Sequence, residues 1–275
     1  MNEINKRIPI FHVPHDGGAF PVELTAAVCV PGDQFRYYHE KMRDTGTLEM
    51  VPPAWGGEDN TVYFPISRLL CDVERFVGPE EPMERLGMGF CYGRAFDGTR
   101  IKSVTEELKR ETLRWYHRHH ERLNQMCNTH SKVLLLDLHS FSDDIVPVGR
   151  LSRNQKTPDI CLGIDERFTP EKLVSAAENC LSAEGYTLAR NYPYSGSLVP
   201  NAVLNGTSAC DCESIMLEWN KRVYCDADGV PEINKIERIR KTITKFIDNY
   251  LNGEEKQKNR KKASAERRVD ISPIS

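Results

Sequence analysis

The apolar run at residues 133–136 is followed by Asp137-Leu138-His139-Ser140, so hydrophobic positions give way to polar ones at a defined point. Such a run is too short for an independent helix and is typical of a strand buried on both faces. In an open α/β sheet, ligands gather beyond the carboxyl ends of the parallel strands. Residues two apart in a strand project to the same side, so Asp137 and His139 are predicted to face one metal or acid–base site. The simpler alternative is a strand end whose histidine hydrogen-bonds a neighbouring loop.

A similar strand end is predicted near the start of the chain. The apolar residues 8–13 predict a first strand, which leads into Pro14-His15-Asp16-Gly17-Gly18, where the glycines allow a tight turn. His15 therefore lies at a strand-to-loop junction, as His139 does, whereas His12 is expected to be a core residue or a neighbour of the site. Further strands are predicted at residues 61–65, 68–73, 158–163, 186–190 and 214–219.

Helices are predicted where apolar residues recur with a 3.6-residue period. One is short and lies near residues 33–43, and one begins at Ser103, with Glu106 completing a capping box. Two more cover residues 169–184 and 233–251, the last of them ended by Gly253. The alternation of strands and helices predicts an α/β fold, a three-layer domain with a mixed, mostly parallel sheet flanked by helices.

The distribution of charge suggests one catalytic domain over residues 1–252 and a basic tail over residues 253–275. The tail holds seven Lys or Arg residues against four Asp or Glu residues, although the whole chain of 275 residues has a formal charge of −3. Because it is charged and poor in apolar residues, the tail is predicted to be disordered. A solvated end is the simpler interpretation, and an electrostatic contact to a partner is the alternative.

Composition favours a cytoplasmic enzyme-sized domain. The first residues lack the apolar core of a secretory signal, and no apolar run approaches the length of a membrane span. The nine cysteines have no disulfide-framework spacing, which favours free thiols in a reducing compartment. We therefore expect a cytoplasmic location and no membrane partner, and nucleic acid is not expected as a partner.

Polar groups at the predicted strand ends form a candidate site. Glu218 lies inside the apolar strand at residues 214–219, where a buried carboxylate is costly unless it is paired, ligated or catalytic. Two imidazoles and one carboxylate are a common catalytic zinc set, and a further carboxylate can take a proton from water. An arginine suits a carboxylate substrate. The candidate site residues are His15, His139, Glu218 and Arg75, and Asp44 and Asp137 are further candidates. Together these groups suit hydrolysis of an amide near a carboxylate.

Other motifs are weaker. His117, His119 and His120 fall in a helix without the carboxylate of a zincin motif, so we interpret them as helix surface plus one packed edge. Cys210-Asp211-Cys212 has no second cysteine pair to complete a metal site. No nucleophile-elbow, P-loop or dinucleotide motif is present.

Five segments resemble, in the same order, the landmarks of N-formylglutamate amidohydrolases. They are PHDGGAFP at 14–21, SRLLCDVERF at 67–76, LLLDLHSF at 134–141, DICLG at 159–163 and IMLEWNKRVY at 215–224. The resemblance covers roughly residues 8–251 and implies a fold similar to that of zinc carboxypeptidases and of the aspartoacylase group.

The resemblance also implies roles for individual residues and one zinc ion per chain. His15 and His139 would bind zinc, Asp44 would be the third ligand, and Glu218 would be the general base. Arg75 would hold a carboxylate of an N-acyl acidic amino acid, and the loop Ser195-Gly196-Ser197 would contact the substrate. Asp137 and Asp16 are expected behind the ligands, where they would orient the histidines, although Asp16 is also a possible ligand.

Three departures from the family pattern leave the substrate open. Gly18 stands where carboxypeptidase-type sites have a glutamate ligand, Glu74 replaces an asparagine, and Asp16 replaces a small residue. Glu74 is expected to weaken the hold of Arg75 on a carboxylate unless Glu74 is itself paired. The first hypothesis for the function is metal-dependent hydrolysis of N-formyl-L-glutamate or another small N-acyl amino acid. The alternatives are a related amidase or peptidase with another acyl or peptide substrate, and a metal- or ligand-binding relative without catalysis.

Overall fold

The computed structural model describes the backbone of residues 6–145 and 156–269, with side chains up to residue 254. Its strands are β1 Ile8–Val13, β2 Thr61–Tyr63, β3 Lys132–Phe141, β4 Ile160–Gly163, β5 Leu188–Arg190 and β6 Asp211–Asn220. Its α-helices are α1 Val22–Thr25, α2 Gly32–Met42, α3 Glu106–Asn128, α4 Glu171–Ala183, α5 Asn201–Leu204 and α6 Ile233–Val269. Short 3₁₀ turns lie at Leu48–Met50, Glu84–Leu86 and Lys221–Val223.

The six strands form one mixed sheet in the order β2-β1-β3-β6-β4-β5. Its neighbouring strands are parallel except β4 and β6, which are antiparallel. The central strand β3 is buried along nearly its whole length, as a continuous apolar run requires when both faces are covered. The predicted α/β fold with a mostly parallel sheet is confirmed.

Helices cover both faces of this sheet. On one face, side chains from β3 and β6 pack with the apolar stripes of α4 and α6, among them Leu173, Leu181, Ile243 and Phe246. On the other face, Leu123, Met126 and Cys127 of α3 pack against Ile10, Val133 and Leu135. The sheet therefore has a face towards α4 and α6 and a face towards α3.

The face towards α3 changes from apolar to polar halfway along the strands. Register pairs His12 of β1 with Asp137 of β3, and His139 of β3 with Glu218 of β6. Because side chains alternate between the two faces of a sheet, these four residues and the apolar Ile10, Val133 and Leu135 share one face. The polar half lies at the carboxyl ends of the parallel strands.

One predicted strand is wrong. Residues 68–73 form hydrogen-bonded turns, in which the backbone N–H groups of Leu70 and Cys71 both donate to the carbonyl of Ser67. Leu69, Leu70, Cys71 and Val73 are fully buried in a second apolar cluster with Phe35, Tyr38 and Tyr92. Their hydrophobicity reflects burial beneath a loop region, and the buried Lys102 ammonium group binds the carbonyls of Leu69 and Leu70.

Two helix ends also differ from the prediction. The cap of α3 is Thr105, whose side chain accepts the N–H of Leu108, rather than Ser103 with Glu106. Helix α6 continues past Gly253 to Val269. A glycine inside a helix costs only about 1 kcal/mol relative to alanine, which flanking helix-forming residues can offset. The division into a domain of residues 1–252 and a tail of residues 253–275 stays a prediction. The polar loop at residues 142–158, for which the sequence leaves a lid role open, lies mostly outside the described residues.

Among the described helices, none is both long enough and apolar enough to cross a membrane.

A candidate metal centre at the carboxyl end of the sheet

Three residues from separate elements converge beyond the ends of β1 and β3. His139 belongs to β3, His15 follows β1, and Asp44 follows α2. The Asp44 N–H donates to the carbonyl of His15 at 3.0 Å, which ties the two loops together. Gly17 lies so close to the neighbouring backbone that an added Cβ would be 2.4 Å from the Phe64 oxygen, so this turn requires a glycine.

The potential ligand atoms face one another. Asp44 Oδ2 lies 3.0 Å from His139 Nδ1 and 3.6 Å from His15 Nδ1. Ligands about 2.0–2.2 Å from a tetrahedral zinc ion are separated by roughly 3.3–3.6 Å. The His15–Asp44 pair has this spacing, and the His139–Asp44 pair is a hydrogen bond that a bound ion would replace with a small outward shift. Within the described part of the chain, His15 Nδ1 is buried and has no hydrogen-bond partner. A buried donor set with an orphaned imidazole nitrogen fits a divalent metal ion.

A carboxylate holds the far nitrogen of each imidazole. His15 Nε2 lies 2.9 Å from Asp72 Oδ1, and His139 Nε2 lies 3.1 Å from Asp137 Oδ1. Since each Nε2 donates to a carboxylate, each Nδ1 is left available for a ligand. The contact of Asp137 matches the orienting role expected for it, whereas Asp72 was not among the predicted site residues.

Asp16 does not take the place expected for it next to the His15 ring. Its Oδ1 accepts from Arg43 Nε at 3.0 Å and its Oδ2 accepts from the Leu48 N–H at 2.9 Å. The Gly46 N–H is a further donor. Asp16 therefore holds the loop that carries Asp44, and it acts on the cluster only through that loop.

The cluster is electrostatically suited to a cation. Burial alone would lower the pKa of His139, but Glu74, Asp137 and Asp44 raise it well above its ordinary value. For His15, burial and Arg68 lower the pKa, and Asp72 and Asp44 outweigh them. Carboxylates thus favour positive charge at both imidazoles, which is the environment that a metal ion needs.

Glu218 lies beside this cluster as a buried carboxyl group. It is the register partner of His139 on the adjacent strand and faces the same side of the sheet. Desolvation by burial raises its pKa to about 8, against the opposing influence of His139 and Arg68. A carboxyl group with such a pKa can exchange a proton near neutral pH, as a general base requires.

Glu74 is directed towards the histidines. Its Oε1 lies 3.1 Å from His139 Nε2, and its Oε2 lies 3.7 Å from His15 Nδ1. Glu74 is thus itself paired with histidines, the condition under which no weakening of Arg75 is expected. Its effect on substrate binding stays a prediction.

Two arginines flank the centre through Asp72. Arg75 Nε lies 3.6 Å from Asp72 Oδ2, and Arg68 Nη2 lies 3.0 Å from the same oxygen. Arg68 also lies 3.7 Å from Oδ1 of Asp44, one of the proposed ligands. The Tyr92 hydroxyl donates to Asp72 as well. Burial would raise the pKa of Asp72, but His15, Arg68 and Arg75 hold it well below its ordinary value.

The loop at residues 195–197 lies near the site through its neighbour Leu198, whose N–H donates to Asp137 Oδ2 at 3.0 Å. The Ser197 hydroxyl is hydrogen-bonded to the Ser214 hydroxyl, and the Gly196 N–H donates to Asn191 Oδ1. Ser195 is exposed. The contact of these residues with a substrate stays a prediction.

Helix α3 contributes more to the region than its sequence indicated. Both His119 and His120 are buried, whereas one packed edge was expected. His120 Nε2 donates to the Val73 carbonyl at 2.7 Å and so supports the segment that carries Asp72 and Arg75. The position of His119 on the apolar stripe of α3 indicated burial, whereas His120 lies off that stripe. The polar partners of both come from distant segments.

Comparisons with known proteins agree with this arrangement. A family model described as N-formylglutamate amidohydrolase matches residues 9–225. The crystal structure of N-formylglutamate amidohydrolase from Ralstonia eutropha is similar, with a TM-score of 0.70 and 20% identity over 90% of this chain and 95% of that one. A gene product from Agrobacterium tumefaciens gives a TM-score of 0.62 and 16% identity over 91% of this chain and 92% of that one. At these identities, both structures show a shared fold. No curated protein matches the chain.

Proposed function

The chain belongs to the N-formylglutamate amidohydrolase family, and we propose that it uses a zinc ion to hydrolyse the amide bond of a small N-acyl amino acid. The proposed substrate is N-formyl-L-glutamate, and the products are L-glutamate and formate. The observation that carries the proposal is the buried His15 Nδ1, which lacks a hydrogen-bond partner among the described residues and lies 3.6 Å from Asp44 Oδ2. Two imidazoles and a carboxylate are the donor set of many catalytic zinc sites.

His15, Asp44 and His139 would hold the zinc ion. When bound, the ion would polarise the amide carbonyl and make water easier to deprotonate. Glu218 takes a proton from the attacking water and delivers it to the amide nitrogen as the C–N bond breaks. The pKa of about 8 that burial gives Glu218 supports both the uptake and the release of this proton.

Arg75 is the proposed anchor for a substrate carboxylate. Its guanidinium lies beside Asp72, the residue that also orients His15, so a bound carboxylate would be fixed relative to the metal ligands. A planar guanidinium can bind a carboxylate through two parallel hydrogen bonds. Its side chain is 27% exposed, which leaves it accessible to a small molecule.

The negative charge of Glu74 supports a second candidate function, in which the protein is a related amidohydrolase that acts on another acyl or peptide substrate. Its carboxylate adds negative charge 3.1 Å from His139, next to the position proposed for the substrate. Like charges at such distances repel, so an acidic substrate would bind less tightly than a neutral one if Glu74 faced it.

Metal content is the first test. We expect about one zinc ion per chain in the purified protein, measured by elemental analysis, and its loss in His15→Ala, His139→Ala and Asp44→Asn. Glu74→Gln is the matched comparison, because it removes a carboxylate charge beside the same histidines, and it should retain the metal. Loss of metal in Glu74→Gln but not in Asp44→Asn would make Glu74 the third ligand. A parent protein without metal after reconstitution would contradict the proposal.

Substrate choice is the second test. The zinc-loaded protein is assayed against N-formyl-L-glutamate, N-formyl-L-glutamine, N-acetyl-L-glutamate and a γ-glutamyl dipeptide. The proposal predicts the highest kcat/KM for N-formyl-L-glutamate. A preference for the neutral glutamine compound, abolished in Glu74→Gln, would favour the second candidate. Zinc binding without hydrolysis of any compound would favour a binding protein instead.

A further inference from the structure

A row of four buried polar groups leads from helix α3 to the candidate metal centre. His119 Nε2 lies 2.8 Å from His12 Nε2, and His12 Nδ1 lies 2.8 Å from Asp137 Oδ1. Asp137 Oδ1 in turn lies 3.1 Å from His139 Nε2. All four side chains are at most 5% exposed, so water has little access to the row.

The direction of the hydrogen bonds follows from the carboxylate. An ionised carboxylate only accepts, and Asp137 faces the N–H groups of His12, His139 and Leu198. His139 therefore carries a proton on Nε2, and its Nδ1, hydrogen-bonded to Asp44 Oδ2 at 3.0 Å, is the nitrogen that a metal ion would bind in place of the shared proton. His12 directs the N–H of Nδ1 to Asp137, and its Nε2 forms a second hydrogen bond with His119 Nε2.

Packing holds the outer pair in place. The rings of His12 and His119 are 5.0 Å apart between centroids, and the His119 ring meets the edge of Phe64 at 5.2 Å. The next residue of α3, His120, binds the Val73 carbonyl. One turn of α3 thus contacts two segments next to the proposed ligands. His119 contacts β1, which pairs with the strand of His139, and His120 contacts Val73, next to the Asp72 that binds His15.

We propose that His119 and His12 are positioning residues, which fix the Asp137 carboxylate and thereby hold the His139 ring with Nδ1 towards the metal. This role rests on the proposed function, since it requires a metal at His15, Asp44 and His139. Outer partners of this kind typically change metal affinity about 10–100-fold when they are removed.

The same residues could instead be ligands of a second ion, because His12, Glu74 and Asp137 are also grouped closely enough to bind one. Hydrogen-bond satisfaction argues against this. Among the described residues, no buried side-chain nitrogen or oxygen atom of His12, Glu74 or Asp137 lacks a hydrogen-bond partner, whereas His15 Nδ1 in the candidate metal centre does.

The test compares His119→Phe with His119→Gln in the full chain. Phenylalanine keeps the ring volume but removes the hydrogen-bonding nitrogen, whereas the glutamine amide keeps a hydrogen-bonding group near the same position. His117→Phe is the control, since it makes the same exchange at an exposed position of the same helix. Each metal-free protein is titrated with Zn²⁺ and with Co²⁺, whose visible absorption reports ligand geometry, and kcat and KM are measured after zinc loading.

We expect one metal ion per chain in every variant. For His119→Phe we expect affinity about 10–100-fold weaker, an altered cobalt spectrum and a lower kcat with little change in KM. His119→Gln should restore most of each property, and His117→Phe should behave like the parent. If His119→Phe does not fold, His12→Val and His12→Asn make the same comparison, because only asparagine keeps an N–H towards Asp137.

Three results would overturn the proposal. Equal metal affinity and equal cobalt spectra in the parent and both variant pairs would show that the row does not position His139, and would leave the proposed function intact. Two ions bound by the parent, with one lost in His119→Phe, would make His12 a ligand of a second site. A parent that binds no metal would refute the positioning role together with the proposed function.

Discussion

Charged groups cluster at both ends of the central strands, but lysine and arginine side chains equal the carboxyl groups in number at only one of them. At the amino end, Arg7, Lys132 and Lys172 pair with Asp211, Glu213 and Glu254. At the carboxyl end, the carboxyl groups of Asp44, Asp72, Glu74, Asp137 and Glu218 surround two arginines, Arg68 and Arg75, and two histidines.

The difference separates a structural cluster from a candidate functional one. A buried ion pair is tolerable when its partners compensate each other, and the Arg7 cluster meets that condition with side chains alone. At the carboxyl end, carboxyl groups outnumber the arginines, so either protons or a cation must supply the remaining positive charge. A divalent ion held by His15, Asp44 and His139 would supply it.

The largest effect that would test this comparison is on turnover, and strand β6 offers a matched pair of glutamates. Glu218→Gln should lower kcat about 10²–10⁴-fold with zinc content unchanged, because it removes the proposed base. Glu213→Gln changes the buried glutamate at the amino end of the same strand and should leave kcat of the folded protein unaltered. Steady-state kinetics and elemental analysis measure both.

The pH dependence adds a second readout for this pair. The base acts in its ionised form and burial raises its pKa to about 8, so kcat/KM of the parent should increase as the pH rises towards that value. Metal binding would move this rise in kcat/KM to lower pH, since a nearby cation lowers the pKa of a carboxyl group. The pH profile of Glu218→Gln should lack this rise. Parent-like turnover in Glu218→Gln, or an equal loss in Glu213→Gln, would remove the distinction between the two ends.

The features that could be predicted from the sequence are those in which a local pattern and its environment agree. The apolar run that breaks at Asp137 indicated β3 and the position of His139, and the carboxylate within an apolar strand indicated Glu218. The mixed, mostly parallel sheet followed from the alternation of strands and helices.

The missed features depend on contacts between distant segments. Asp72 lies in the family-like segment at residues 67–76, but its importance appears only when His15, Arg68 and Tyr92 surround it. His119 lies on the apolar stripe of α3, but its partner His12 is 107 positions away in a strand. The apolar stretch at residues 68–73 is buried as a loop, which hydrophobicity alone does not distinguish from a strand.

A smaller effect, on stability alone, is expected at the amino end. Arg7 is 5% exposed and binds Glu213 at 2.7 Å, so Arg7→Met should lower the free energy of unfolding by about 3 kcal/mol. Zinc content and kcat/KM of the folded fraction should not change. Denaturant unfolding measures the loss. The double variant Arg7→Met/Glu213→Gln should recover part of it, because Glu213 is the most buried carboxylate that loses Arg7 and glutamine leaves no charge there. A loss of metal affinity in Arg7→Met would mean that the two ends are not independent.

The smallest effect is expected for substrate binding at the carboxyl end. Arg75→Gln removes a positive charge that the proposal assigns to the substrate carboxylate, and a hydrogen bond to a charged group contributes about 1.5–3 kcal/mol. We therefore expect kcat/KM for N-formyl-L-glutamate to fall about 10–100-fold, mostly through KM, with a smaller loss for a neutral amide. Arg114→Gln is the control, because Arg114 is exposed on α3 and pairs only with Glu111 among the described ion pairs. Equal losses for acidic and neutral substrates would mean that Arg75 acts on His15 through Asp72. Its role would then be structural, like that of Arg7 beside Glu213, and it would not recognise the substrate carboxylate.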